Sequence, residues 1–159
     1  MAIFDKLADE VKDGKIVEVK VKRENAMRGR IRIKAPDGED LIIDMPRGRI
    51  INNCDTFGPS HDNTYYKVLV EPELVIKVTV EKSVAPKDME NAIKLGYNLG
   101  NRHLEVLIES DAAYVPVTLG EDKIREILKR TALPLKLESV QKIVMTTAPG
   151  YHAGEEEES

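Results

Sequence analysis

The sequence has few residues of several chemically informative types. Its 159 residues include no tryptophan, one cysteine, three histidines and only 4% aromatic residues. The single cysteine, Cys54, excludes both an intramolecular disulfide and a cysteine-based metal cage within one chain, so we expect a buried structural residue. Few aromatic residues and a net charge of −4 at pH 7 argue against an RNA-binding or general phosphate-binding surface. Nucleic acid is therefore not an expected partner.

Long apolar runs and catalytic motifs are also missing. No stretch approaches the roughly 18 consecutive apolar residues of a membrane span. Residues 1–6 do not begin a basic region followed by an apolar run, so we expect a cytoplasmic protein without membrane contact. The sequence contains neither a nucleophile-base constellation nor a phosphate loop, which predicts that the chain is not an enzyme.

Residues 1–71 have the alternation and the turn residues of a small β domain. The expected strands, in which apolar and polar residues alternate or short apolar runs occur, are 17–21, 30–34, 41–43, 49–51 and 65–70. Pro36, Asp37 and Gly38 favour a turn that joins two of these strands in a hairpin. Residues 52–63 are polar and rich in turn formers, which predicts a loop.

Basic residues form a pattern within this first region. They occupy alternate positions of the chain: Arg28, Arg30, Arg32 and Lys34. The spacing predicts one basic face of a strand. Such a face is either a solvated surface or a binding surface for a partner.

A second domain is expected over residues 72–147, because Pro72 marks a boundary. Its predicted elements are strand 74–80, helix 86–99, strands 104–109 and 113–117, helix 121–131 and a strand near 135–144. This βαββαβ order is ferredoxin-like and makes the chain an α+β protein. Residues 148–159 are predicted to be a flexible acidic tail, ending in four glutamates and Ser159.

The most informative stretch is Leu99-Gly100-Asn101-Arg102-His103, where the predicted helix ends and the next strand follows. Gly100 is expected to take the left-handed conformation that ends the helix, and Glu90 and Lys94 are expected to pair along it. His103 lies just past the predicted helix end, either as a functional residue or as a structural histidine that is partly buried or is favoured as a cation by the negative helix end. One helical face carries Met89, Ala92, Ile93, Gly96 and Leu99.

The stretch from Tyr97 to His103 resembles the Gly-Asn-x-His motif of UreE, the urease accessory nickel metallochaperone family. Two basic Arg-Gly elements, Arg28-Gly29-Arg30 and Pro46-Arg47-Gly48, resemble the N-terminal domain of that family, whereas residues 52–55 depart from its usual pattern. The resemblance implies a ferredoxin-like C-terminal domain and delivery of nickel to urease during assembly of its metallocentre. It also implies that His103 binds metal between two subunits. The implied partners are a second copy in a homodimer, the urease apoenzyme complex and the GTP-hydrolysing accessory protein UreG.

The three histidines of the chain, His61, His103 and His152, limit the ligands that one protomer can supply. A two-fold dimer would bring His103 to its own copy, and His152 in the tail is a second candidate ligand. Imidazoles suit Ni²⁺, and Zn²⁺ and Cu²⁺ would bind as well. His61 is interpreted as a solvated loop residue, with a weak metal contact beside Asp62 as the alternative.

A rival interpretation needs no metal. In it, the chain is a chaperone-like protein-interaction module whose β domain holds a partner peptide, and His103 is structural. The two interpretations differ in nickel affinity, because the interaction module would bind no divalent ion with submicromolar affinity.

Overall fold

The computed structural model describes residues 1–83 and 87–146. Within them the chain combines helices with several sheets, so the predicted α+β class is confirmed. The chain divides into two compact units, one formed by residues 1–71 and one that begins at residue 72. Residues 84–86, which include the predicted helix start at Pro86, and the predicted tail lie outside the described residues.

The first unit contains two small sheets and a short helix. Its strands are β1 (Ala2–Phe4), β2 (Lys15–Val21), β3 (Arg30–Lys34), β4 (Asp40–Asp44), β5 (Thr56–Phe57) and β6 (Thr64–Val70). Helix α1 (Arg23–Arg28) connects β2 to β3. The strand orders are β1-β4-β3 in one sheet and β2-β6-β5 in the other.

The hairpin predicted for the first unit is confirmed. Strands β3 and β4 pair antiparallel, with Ile33 opposite Leu41. In the turn, Asp37 accepts a hydrogen bond from the Glu39 N–H at 3.0 Å. Gly38 has a φ of 88°, a backbone conformation that costs glycine no steric energy. The turn chemistry therefore sets the register of this pair.

Several local predictions for the first unit are wrong. Residues 49–51 are not a strand, and the Ile51 N–H donates instead to the Ala26 carbonyl at 2.8 Å. Strand β5 lies inside the predicted loop 52–63, where it pairs with β6. Helix α1 was not predicted, because a helix of 6 residues is too short to show a helical period.

The basic strand face is shorter than predicted. Arg28 belongs to α1, so the face consists of Arg30, Arg32 and Lys34, all exposed on β3. Arg30 pairs with Asp44 of β4 at 3.1 Å. The cross-strand carboxylate balances part of the positive charge on this surface.

The second unit consists of a four-stranded sheet and two helices in the described residues. In chain order its elements are β7 (Glu73–Val80), α2 (Asp88–Asn101), β8 (Leu107–Glu109), β9 (Ala112–Pro116), α3 (Glu121–Lys129) and β10 (Leu135–Lys142). The sheet order is β10-β7-β9-β8, and every neighbouring pair is antiparallel.

One hydrophobic cluster holds the second unit together. The sheet and both helices contribute to it, and its buried members are Ile76, Val78, Leu95, Leu99, Ala113, Val115, Ile124 and Leu128. Burying a side chain the size of leucine contributes about 1.5–3 kcal/mol. Because α2 and α3 share this cluster, both helix ends are fixed by the same core.

Helix α2 differs from the prediction in its extent and in the face that it buries. It continues to Asn101, so Gly100 is helical, and its buried residues are Leu95 and Leu99. The other residues predicted for the apolar face are exposed: Met89, Ala92, Ile93 and Gly96. Of the residues predicted for the apolar face, only Leu99 therefore packs into the core of its own chain.

The remaining element boundaries shift by a few residues. The strand predicted over 104–109 begins at Leu107, and the helix predicted over 121–131 ends at Lys129. No helix in residues 1–83 or 87–146 combines the length and the apolar content that a membrane crossing requires.

Candidate metal centre

The end of α2 is a closed hydrogen-bonded turn. The Arg102 N–H donates to the Asn98 carbonyl at 3.2 Å, and the His103 N–H donates to the Gly100 carbonyl at 3.0 Å. The Leu104 N–H reaches back to the Leu99 carbonyl at 3.2 Å. These bonds form a Schellman motif, in which the last helical carbonyls are satisfied by the two residues that follow the cap.

His103 holds the left-handed position of this motif, with a φ of 53°. The expectation that Gly100 would take it is wrong, because the helix continues past Gly100. Residues with a Cβ rarely adopt this conformation, and histidine, asparagine and aspartate are enriched among those that do. The sequence signal that could have located the turn is the apolar pair Leu99 and Leu104, since such a pair often flanks a Schellman motif.

The His103 side chain is exposed at this turn. A strained backbone position that carries an exposed imidazole is an observation that points towards function. The carbonyl end of a helix is the negative end of its dipole, which favours a cation bound nearby. His103 therefore has the position and the chemistry of a metal ligand.

The outer face of α2, which we call the α2 face, is apolar and exposed. Met89 is 76% exposed, Ile93 67% and Tyr97 73%. Gly96 and Gly100 lie on the same helix, and a Cβ added to either would meet nothing within 4 Å. Residues at positions three or four apart share one side of a helix, so the three large side chains form one stripe.

Charged side chains accompany this stripe. The predicted pair of Glu90 and Lys94 is confirmed, with Nζ to Oε1 at 2.9 Å. The hydrogen bond that Lys94 donates holds the pKa of the Glu90 carboxyl below its usual range. Both side chains are more than half exposed, so the pair contributes little to stability.

A single chain does not gather a metal site in the part of the chain that is described. No three His, Cys, Asp or Glu side chains of residues 1–83 and 87–146 come close enough to hold one ion. His103 thus belongs to no group of three such side chains within the described residues. The other candidate ligand, His152, lies outside the described residues.

The remaining candidate residues lie in the first unit. His61 is exposed in the loop before β6, with its Nε2 3.3 Å from Asp62 Oδ1. Cys54 is exposed, so the expectation of burial is wrong. Its backbone explains the exposure: Cys54 has a φ of 73° in a tight turn, and its N–H donates to the Val68 carbonyl at 2.8 Å.

Comparison with known proteins decides the family. A model of the C-terminal domain of the UreE urease accessory protein matches residues 73–158. The chain belongs to the UreE family. The match includes α2, the Schellman motif and His103. The UreE family is one of accessory proteins, which confirms the expectation that the chain is not an enzyme.

Individual relatives carry the same family name. A urease accessory protein UreE from Prochlorococcus marinus is 31% identical over 91 residues, covering 57% of this chain and 55% of the relative. The UreE of Ralstonia nicotianae is 32% identical over 85 residues, covering 54% and 37%. That of Nostoc punctiforme is 25% identical over 115 residues and covers 72% of both chains. The chain thus spans about half the length, or less, of the first two relatives.

Proposed function

We propose that this chain is a nickel-binding metallochaperone that delivers Ni²⁺ to urease during assembly of the urease metallocentre. The ion is held between the His103 side chains of two copies. The observation that carries the proposal is the exposed imidazole at the left-handed end of α2, directly after an exposed apolar helix face. The family name, urease accessory protein, supports urease as the destination.

A homodimer would supply further ligands for an ion at His103, where the described residues of one chain form no group of three ligating side chains. Three large apolar side chains exposed along one helix favour an interaction surface, and the α2 face is followed within a turn by His103. In a two-fold dimer the same surface meets itself, so each residue near the axis approaches its own copy. Packing of two α2 faces would therefore bring two His103 imidazoles to one ion.

The cargo follows from the ligand type. Imidazole nitrogen binds Ni²⁺ well, and Zn²⁺ and Cu²⁺ compete for it. A site with few protein ligands at a surface leaves coordination positions open, whereas a closed cage of four ligands would retain the ion. Two imidazoles at an exposed interface suit a protein that must release its metal ion to another protein.

His152 is proposed as an additional ligand, contributed by the tail of either chain. Two His103 side chains leave an ion such as Ni²⁺ short of protein nitrogen ligands, and His152 is an imidazole 49 positions further on in the sequence. Truncation after Ala148 removes this residue together with the terminal glutamates, and it should weaken nickel binding without abolishing it.

The two units have separate proposed tasks. The second unit is a ferredoxin-like domain for dimerisation and metal binding, which its order of elements and its β10-β7-β9-β8 sheet support. The first unit binds partners, namely the urease apoenzyme complex and UreG, and the exposed basic residues of β3 support a surface for such contacts. The compartment that we propose is the cytoplasm.

Calorimetric titration with Ni²⁺ tests the proposal. His103→Ala should lose more than about 100-fold in affinity for the tightest site, because both imidazoles of the shared ion disappear together. The matched control is His61→Ala, which also removes an exposed imidazole and should retain affinity within about twofold. Tight nickel binding by His103→Ala would contradict the proposal and favour the rival protein-interaction module.

A further inference from the structure

The turn that carries His103 needs a restraint to persist. An L-residue with a Cβ is disfavoured in the left-handed conformation, and His103 has a φ of 53° there. The hydrogen bond from the His103 N–H to the Gly100 carbonyl connects His103 to the preceding helix. It does not hold the chain that follows His103. Without a second anchor, the backbone at His103 would relax and the imidazole would leave the end of the helix.

Leu104 supplies the second anchor. Its N–H donates to the Leu99 carbonyl at 3.2 Å, which closes the turn on the far side of His103. Its side chain is half-buried and packs against the hydrophobic cluster that contains Leu99. The residue after His103 is therefore held to the helix by its main chain and to the core by its side chain.

We propose that Leu104 is a positioning residue for the metal site: it holds His103 in the left-handed conformation from which two imidazoles can meet at one ion. This inference rests on the proposed function. A ligand held in its binding geometry beforehand binds more tightly, since the apparent dissociation constant rises as the competent population falls. Leu104 thus influences metal affinity without touching the metal.

The second unit contains a matched control. Leu133 follows α3 as Leu104 follows α2, is also half-buried and packs against the same cluster. Leu104→Ala and Leu133→Ala therefore remove equal side chains from one core at the ends of two helices. Each variant is titrated with Ni²⁺, and Co²⁺ serves as a probe whose absorption spectrum reports the ligand geometry.

Leu104→Ala should weaken Ni²⁺ binding roughly tenfold, a factor that matches the cost of left-handed backbone for an L-residue. The Co²⁺ spectrum should change with it. Leu133→Ala should lose similar thermal stability, yet keep its Ni²⁺ affinity within about twofold and its Co²⁺ spectrum unchanged. Leu104→Met, which conserves volume, should restore both readouts.

Equal weakening by the two alanine variants would overturn the positioning role, because it would reveal a general loosening of the core. Unchanged Ni²⁺ affinity and Co²⁺ spectrum in Leu104→Ala would overturn it as well, and would leave the proposed function intact if His103→Ala loses nickel. If Leu104→Ala does not fold, Leu104→Val and Leu133→Val provide the same comparison. Tight nickel binding by His103→Ala would instead overturn the proposed function itself.

Discussion

The two long helices of the second unit end in similar ways but expose different side chains. Each is followed by a residue other than glycine with a positive φ, 53° at His103 after α2 and 57° at Ala132 after α3. Each such residue donates its N–H to a carbonyl three positions earlier, at 3.0 Å to Gly100 and 3.2 Å to Lys129. The fold thus accommodates a left-handed L-residue at both ends.

The next hydrogen bond distinguishes the two ends. After α2, the Leu104 N–H bonds directly to the Leu99 carbonyl. After α3, the Thr131 hydroxyl lies between the equivalent groups: it donates to the Leu128 carbonyl at 2.7 Å and accepts from the Leu133 N–H at 3.3 Å. The turn after α2, which carries the imidazole, is therefore closed by a main-chain hydrogen bond alone. The turn after α3 is closed with the help of the Thr131 side chain.

The outer faces of the two helices differ as well. The α2 face exposes Met89, Ile93 and Tyr97, whereas no large apolar side chain of α3 is among the exposed ones. Helix α3, like α2, carries a surface ion pair, Arg125 with Glu121 at 3.4 Å, but no exposed apolar stripe accompanies it. Folding alone explains Ala132 and the α3 surface. Folding alone does not explain why an imidazole lies beside the exposed apolar stripe of α2. Contact with a second copy and with a metal ion would explain this arrangement.

The largest expected effect comes from a charge on the α2 face. Ile93→Glu should weaken self-association at least about 100-fold, because an unpaired carboxylate would be buried in each half of the interface. Nickel affinity should fall with it, since the two His103 side chains would no longer meet. Sedimentation equilibrium measures the association, and calorimetry measures the metal affinity.

Lys123→Glu is the control on α3, where the residue is also exposed. It changes the charge of a helix surface without touching the α2 face and should leave association and nickel affinity unchanged. If Ile93→Glu associated as strongly as the native chain, the α2 face would not be the dimer interface. The difference between the exposed faces of α2 and α3 would then have no role in dimer formation.

A smaller effect is expected from glycine at each left-handed position. His103→Gly and Ala132→Gly should each raise the free energy of unfolding by about 0.5–1 kcal/mol, because glycine adopts positive φ without a Cβ clash. Denaturant unfolding without metal measures this. Only His103→Gly should lose nickel binding. A loss of stability in His103→Gly alone would mean that the imidazole contributes to packing rather than to metal binding.

The smallest expected effect is a change in how strongly acid destabilises the fold, through a hydrogen bond between β10 and α3. Ser139 of β10 donates a hydrogen bond to Glu121, and this bond holds the pKa of the Glu121 carboxyl below its ordinary value of 4.5. A depressed pKa contributes stability above the unfolded-state pKa, and that contribution is lost as the pH falls through the folded-state pKa. Ser139→Ala should therefore raise the Glu121 pKa and make unfolding slightly less sensitive to acid below about pH 4.5.

An NMR titration of the Glu121 carboxyl measures that change directly. Nickel binding at neutral pH should be the same as in the native chain, because the bond from Ser139 of β10 ties Glu121 and α3 to the sheet, and α3 carries no candidate ligand at its end. A changed nickel affinity in Ser139→Ala would show that the ends of α2 and α3 are coupled, whereas we expect them to act independently.

Local chemistry made part of the fold predictable. The Pro36-Asp37-Gly38 turn fixes a hairpin by its own hydrogen bonds and its allowed φ angles, so the sequence was sufficient. The order of strands and helices in the second unit followed from periodicity, with errors of a few residues at the ends. Helix α1 was missed because its six residues are held by tertiary contacts, such as the bond from Ile51 to Ala26, rather than by a local pattern.

His103 as a metal ligand stays a prediction, whereas the predicted geometry of the turn that carries it was wrong. The motif pointed to His103, whereas local propensity assigned the left-handed position to Gly100. The helix continues past Gly100, and Leu104 bonds to Leu99 and packs against the core; the apolar pair Leu99 and Leu104 was the one local signal of this turn. Periodicity likewise identified Met89 and Ile93 as apolar helix positions. It could not distinguish burial in the chain's own core from exposure on its surface.

In the proposed site, one metal ion is shared by the His103 residues of two chains. Native mass spectrometry of the native chain mixed with His103→Ala and limiting Ni²⁺ tests it most directly, because the two chains differ in mass and all three dimers are resolved. We expect the ion to occupy the native dimer, to be much depleted in the mixed dimer and to be absent from the variant dimer. Equal occupancy of the native and mixed dimers, or retention of the ion by native monomers, would contradict it.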